Sequence, residues 1–235
     1  MGPHQARAGI VREAPSPNWD ARPDTVAIDT LVLHYTGMQS AEAAIERLRD
    51  PAARVSSHYV VEEDGTVSRL VDEAHRAFHA GISYWRGHTA LNERSIGIEI
   101  VNPGHEWGYR PFPAAQMDAV RALCRAILGR HAIPPINVVA HSDIAPDRKQ
   151  DPGELFDWPS LAADGIGLWP PACGGLVAAG EVEAALRRIG YPIPDLATTI
   201  AAFQRRWRPA LVDGVADAGT RARLADLLHI LDPAG

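Results

Sequence analysis

Apolar residues recur along this chain in two rhythms. Short β-branched runs fill the first part, and helical spacing dominates the end. Residues 26–35, VAIDTLVLHY, are largely apolar and read as a buried strand. Ser40 can cap a helix over AEAAIERLRD, which Pro51 ends. SHYVVEEDGTVSRLV carries two apolar runs around Asp64-Gly65, which predicts a hairpin. A polar, glycine-rich loop follows from about residue 74 to residue 92. SIGIEIV (95–101) alternates with period two, a helix is predicted over roughly 113–131 with Pro113 in its first turn, and INVVAH (136–141) reads as another buried strand. Strands joined through a hairpin and through helices predict an α/β domain with a mixed central sheet flanked by helices.

The composition shifts after Pro159. GIGLWPPACGG reads as loop, and residues 161–179 are expected to be a linker. Three helical patterns follow, EVEAALRRIG, ATTIAAFQRRW and AGTRARLADLLHIL, so residues 180–235 are predicted to form a small C-terminal three-helix domain.

A formal net charge of −6 argues against a nucleic-acid surface, which needs a basic stripe. Cys124 falls on the apolar face of a helical pattern with Met117, Val120 and Ile127, and Cys173 lies in a Pro/Gly-rich loop, so neither a disulfide framework nor a cysteine metal site is indicated. The N-terminal residues show no apolar core of a signal peptide, and no apolar run approaches the roughly 18 residues of a membrane span. The expectation is a cytoplasmic monomer, with the periplasm or cell wall as the alternative compartment.

Three of the apolar runs deliver a polar residue at or near their ends: LVLH gives His34, IGIE gives Glu99 and VVAH gives His141. In SIGIEIV the isoleucines share one face, and Gly97 and Glu99 share the other. A carboxylate in mid-strand is costly unless it is paired or working. Ligands of α/β sheets gather beyond strand ends, and two imidazoles with one carboxylate are a common protein set for catalytic zinc. The third ligand stays open between Glu99, Asp143, Asp147 and Asp151. Non-haem iron uses a similar set, and the only His–carboxylate neighbours on one strand end are His141 and Asp143. Buried, hydrogen-bonded histidines remain the structural alternative.

The segments LVLHYTG, SSHYVVEEDGTV, FHAGISYWRG, LNERSIGIEIVN and HSDIAPDRKQDPGELFDW resemble the zinc N-acetylmuramoyl-L-alanine amidases of the AmpD/AmiD type, the type 2 amidases. The resemblance runs from about residue 16 to residue 160, which it marks as the catalytic domain. It implies one zinc ion per chain held by His34, His141 and Asp151, with Glu99 as the catalytic glutamate and Lys149 as the catalytic lysine. Zinc would supply an activated water, Glu99 would move its proton, and Lys149 would stabilise the oxyanion. The implied reaction cuts the amide between N-acetylmuramic (or 1,6-anhydro-N-acetylmuramic) acid and L-alanine in peptidoglycan or muropeptides. The resemblance also places the loop with His79, Trp85 and Asn92 along a substrate groove, and His58 is expected to support the zinc site. AAFQRRWRPALVDGVADAGTRARL looks like the core of small helical peptidoglycan-binding modules. A cap that only stabilises the first domain is the alternative for that module, and a non-catalytic peptidoglycan-recognition protein is the alternative for the whole chain.

Overall fold

The computed structural model of the chain describes residues 11–231. The first ten residues, read above for an export signal, and the last four of the C-terminal module lie outside the described residues. Eight strands are present in chain order among those described: β1 (Val11–Glu13), β2 (Trp19–Ala21), β3 (Thr30–Tyr35), β4 (Tyr59–Val61), β5 (Val67–Arg69), β6 (His75–Ala77), β7 (Ser95–Ile100) and β8 (Val138–Ala140). Six of them form one sheet in the order β1-β5-β4-β7-β3-β8, while β2 and β6 pair separately. β7 is parallel to both β4 and β3, β8 is parallel to β3, and β4–β5 is the antiparallel hairpin predicted around Asp64-Gly65. The sheet is mixed, as the pattern of runs and connections predicts.

The helices α1 (Ala41–Arg49), α4 (Ala114–Arg130), α7 (Val182–Ile189), α8 (Leu196–Trp207) and α9 (Ala218–Leu231) match the predicted patterns. Ser40 caps α1 by accepting from the Ala43 N–H at 3.1 Å. Four short helices complete the set: α2 (Leu91–Arg94), α3 (Gly104–Trp107), α5 (His141–Ile144) and α6 (Trp158–Ala163). Two predicted strands are shorter than expected. The run from residue 26 does not enter the sheet until Thr30, because the Asp29 N–H bonds to the Arg94 carbonyl and its carboxylate pairs with the Arg94 guanidinium. β8 stops at Ala140, where the Asp143 carboxylate accepts the Ala140 N–H at 2.9 Å and turns the chain into α5. His141 therefore opens a helix instead of closing a strand.

Period-two alternation gives the sheet two faces. Leu31, Leu33, Ile96, Ile98, Ile100 and Val138 pack on one face against Val120, Cys124 and Ile127 of α4. Val32 and Val139 point to the other face and pack against Leu186, Phe203, Trp207 and Leu227 of the C-terminal helices. Val60 lies on that second face too, covered by Ile45 and Leu48 of α1. The second face is thus covered from two sides, with α1 over β4 and the helical module over β3 and β8.

The helical module has no core of its own separate from the sheet. Phe203 and Leu186 are fully buried in the same cluster as Val32 and Val139. The expected linker is also partly core, since Leu161 and Ile166 are both 0% exposed against the first face. Burial of each large side chain is worth about 1.5–3 kcal/mol, so several crossing the boundary tie the two parts firmly. Phe203→Ala should cost about 3–5 kcal/mol and should lower the stability of the sheet and the module together. Urea unfolding followed in parallel by far-UV circular dichroism and tryptophan fluorescence checks this; two separated transitions would contradict a shared core.

Candidate metal centre and cleft

The parallel register does the first part of the assembly. His34 lies opposite Glu99, and Leu33 lies opposite both Ile98 and Ala140, so the residue after Ala140 arrives beside His34. The second part is done by the irregular segment after α5. Its turn is held by N–H bonds from Arg148 and Lys149 to the Ala145 carbonyl, and the returning Asp151 carbonyl accepts the Ser142 N–H at 3.0 Å. Gly153 follows at a positive φ of +86°, and a Cβ there would lie 2.2 Å from the Tyr109 hydroxyl oxygen. That hydroxyl donates to the Pro152 carbonyl at 2.8 Å and accepts the Leu155 N–H at 2.9 Å. Only glycine lets the tyrosine brace the loop so closely.

These pieces bring His34 Nδ1, His141 Nδ1 and Asp151 Oδ2 into a triangle. The imidazole nitrogens are 2.9 Å apart, and each is 3.0 Å from the carboxylate oxygen. His34, His141 and Asp151 are 1%, 4% and 5% exposed. Among the described residues this is the cluster of His, Cys and acidic side chains whose donor atoms converge closely enough to hold a metal ion.

The surrounding hydrogen bonds decide where the protons sit. Ser95 donates its hydroxyl to the Leu91 carbonyl at 2.6 Å, so the His79 Nε2–H must donate to Ser95 Oγ, which lies at 3.2 Å. His79 Nδ1 is then an acceptor, and it takes the His34 Nε2–H at 3.1 Å. His141 places its Nε2–H on the Ala80 carbonyl at 3.2 Å. A neutral imidazole carries one N–H, so both Nδ1 atoms are left with bare lone pairs. Burial, with the neighbouring His141, holds the His34 imidazole down at about 4, which keeps it neutral. Burial also lowers His79 well below the ordinary histidine range. Two bare nitrogens and a carboxylate oxygen facing one another repel unless a cation lies between them. Donors bound to zinc in a tetrahedron at about 2.0–2.1 Å lie roughly 3.3 Å apart, close to the triangle found here.

Glu99 faces the same space. Its Oε2 is sealed from solvent and has no hydrogen-bond partner among the described residues. Burial raises its pKa well above the usual carboxylate range, the charge of Asp151 pushes it further in that direction, and the Lys149 ammonium pulls it back. Glu99, Lys149 and the triangle all line one cleft of about 750 Å³, together with Tyr35, His105 and Arg47 of α1. Trp107, also on the cleft, is 51% exposed.

The three residues expected along the groove separate. His79 lies on the cleft, but its ring is spent on His34 and Ser95, so it acts behind the donor triangle. Trp85 is corrected outright: it is 1% exposed, packs edge-on against Tyr191 of the helical module and donates its Nε1–H to Asn137. Asn92 braces the loop, its Oδ1 accepting the N–H groups of His79 and Ala80 at 3.1 and 2.8 Å. His58, expected to support the site, does so at one remove: its Nδ1 accepts the Gly97 N–H at 2.9 Å, and its ring packs edge-on against His79.

Sequence reading did not single out Arg22, whose guanidinium donates to the Ser95 carbonyl and contacts His58 Nε2 at 2.9 Å. Nothing in its local pattern distinguishes it from a surface arginine. The small residue beside Glu99 was a usable signal, because a Cβ on Gly97 would lie 2.5 Å from the His79 ring.

A buried donor set that could hold a metal ion, an unpaired carboxylate oxygen beside it and an open cleft together form a candidate active site. The comparisons place it more closely. The family model described as N-acetylmuramoyl-L-alanine amidase matches residues 24–154, and the chain belongs to that family. N-acetylmuramoyl-L-alanine amidase AmiD of Escherichia coli (strain K12) is 41% identical over 231 residues, covering 86% of this chain and 83% of AmiD. The solved complex of E. coli AmiD with the substrate anhydro-N-acetylmuramic acid-L-Ala-D-gamma-Glu-L-Lys superposes with a TM-score of 0.79 at 39% identity, covering 89% of this chain and 92% of that one. AmpDh3 from Pseudomonas aeruginosa, in complex with anhydromuramic pentapeptide, gives a TM-score of 0.80 at 32% identity, covering 89% and 95%. Both superpositions extend beyond the family-matched region into the helical module.

Gly97→Ala tests the proton-fixing chain behind His34. The added methyl should displace His79 and weaken metal binding about tenfold or more, measured as zinc affinity in competition with a chelator. An unchanged affinity would show that His79 does not orient its neighbour.

Proposed function

We propose that this chain is a zinc hydrolase that cuts the amide between the lactyl group of N-acetylmuramic acid and L-alanine of the stem peptide. The observation that carries the reading is the sealed, unpartnered Glu99 oxygen beside a triangle of three bare donors. His34, His141 and Asp151 would hold the ion, and zinc held by three protein ligands supplies Lewis acidity and a lowered water pKa.

The chain's own residues supply the proton traffic. Glu99 takes the proton of the attacking water and returns it to the departing L-alanine amine. The Lys149 ammonium lines the same cleft and stabilises the charge that develops on the attacked carbonyl oxygen, a contribution of about 3–4 kcal/mol when one such group is removed. The raised pKa of Glu99 favours its part as proton acceptor, because a more basic carboxylate takes a proton from water more readily. Muropeptides with a 1,6-anhydro sugar are the favoured substrates, since the AmiD and AmpDh3 complexes hold anhydromuramic ligands. The helical module is read as part of the catalytic unit that also meets the wall polymer, because its FQ…DG…D-x-x-T core is intact: Gln204 Oε1 accepts the N–H groups of Asp213 and Gly214 at 3.0 and 2.8 Å.

A non-catalytic recognition protein would have no use for a glutamate oxygen sealed beside the donor triangle without a partner. Glu99→Ala should keep zinc and lose about 10²–10⁴-fold in turnover of a muropeptide, whereas His34→Ala should lose zinc itself. Mass spectrometry of released stem peptide, paired with metal analysis, reads both; wild-type cleavage by Glu99→Ala would assign the base elsewhere. A pH profile adds a second check. The acid limb of kcat/KM follows Glu99 ionisation in the free enzyme. Lys149 lowers that pKa, so Lys149→Met should move the limb to higher pH as well as reduce the rate. An unshifted limb would show that Lys149 does not act on Glu99.

A further inference from the structure

We propose that Arg206, carried by α8 of the helical module, is a positioning residue for His141, which rests on the reading of His141 as a zinc ligand. Arg206 is 1% exposed and Asp143 is 0% exposed, and their ion pair measures 2.6 Å. The same guanidinium donates to the Val138 carbonyl at 2.8 Å. It is sandwiched between the rings of Trp158 and Trp207, at 4.1 and 4.3 Å from their centroids. The Asp143 carboxylate in turn accepts the Ala140 N–H at 2.9 Å and the Tyr191 hydroxyl at 2.5 Å. Tyr191 is fixed by the Trp207 indole N–H at 2.9 Å.

Val138, Ala140 and Asp143 bracket His141 in the chain, and the helical module reaches each of them, Ala140 through Asp143. This is where β8 ends and the backbone turns to aim an imidazole at the donor triangle. His34 has a layered support of His79, Ser95 and Leu91 behind its ring, whereas the ring of His141 has the Ala80 carbonyl at 3.2 Å. The aim of His141 therefore depends more heavily on its backbone. An apolar pair of the same volume could fill the space with equal or greater stability. A guanidinium with two directional bonds adds something different, a fixed distance between α8 and the end of β8. On this reading the helical module helps set the geometry of the metal site and is more than a wall-binding appendage.

Zinc affinity of the full chain, measured by chelator competition on protein confirmed folded by circular dichroism, separates positioning from mere stability. Arg206→Met should weaken zinc binding about tenfold, and Arg206→Lys should recover part of the loss. Tyr191→Phe keeps the packed ring and removes one bond to Asp143, so it should weaken zinc binding severalfold and carries the test if Arg206→Met does not fold. Gln204→Ala is the control: its bonds go to Asp213 and Gly214 of the module's own loop, and none to Asp143 or Val138, so it should lower the melting temperature while leaving zinc affinity unchanged. Wild-type affinity in folded Arg206→Met or in Tyr191→Phe, or an equal loss in Gln204→Ala, would overturn the positioning role. A wild-type chain that binds no zinc would sink the zinc-hydrolase reading and this role with it, whereas zinc binding that the variants leave unchanged sinks only the role of Arg206.

Discussion

Two imidazole nitrogens and a carboxylate oxygen, all about 3 Å apart with no proton between them, cannot satisfy one another. Their proximity is a standing electrostatic cost, and the rest of the catalytic half can be understood as the framework that maintains it. Three parallel strands in fixed register hold two of the groups. A loop braced by Tyr109 returns the third, and a relay of His79, Ser95 and the Leu91 carbonyl takes up the proton that would otherwise relieve the strain at His34. Left to itself, a chain relaxes such a cluster by protonation or by moving apart. Here the packing prevents the movement and the hydrogen bonds prevent the protonation.

The same burial works in opposite senses on neighbouring groups. It drives His34 toward its neutral form and Glu99 toward its protonated form, because in each case the charged state loses water. For the histidine this produces a donor. For the glutamate it produces a group that holds a proton more tightly than an ordinary carboxylate does. One physical cause thus prepares a ligand and a proton carrier side by side, and the charge of the Lys149 ammonium moderates the second.

Much of this is legible in the amino-acid sequence. His34 and Glu99 stand at fixed phases of period-two strands, and the apolar run before His141 marked it as close to a strand end. Asp151 was not legible from spacing, because an irregular segment gives no period from which to project where a side chain returns; only the family motif selected it. Trp85 was misplaced for a related reason. An aromatic residue in a polar loop looks like a groove wall until the residue that covers it is known, and Tyr191 lies far along the chain. Leu161 and Ile166 were hidden by the glycine and proline around them, which signal a loop without saying whether its apolar residues reach the core. The ion pair between Asp143 and Arg206 had no local signature, since each partner alone resembles a solvated charge.

The division of the sheet's second face carries a consequence for how this fold can be rebuilt. Val32, Val139 and Trp85 belong to the family-matched region, yet the helical module keeps them dry. A chain ended after the matched region would turn that surface outward as a continuous apolar patch, the kind that promotes association. Any shorter relative with the same sheet must therefore recolour those positions or lay another segment across them. The module is not a detachable reader of the wall but half of the lid on the hydrophobic interior, and the boundary drawn by sequence similarity runs through the middle of a single folded unit.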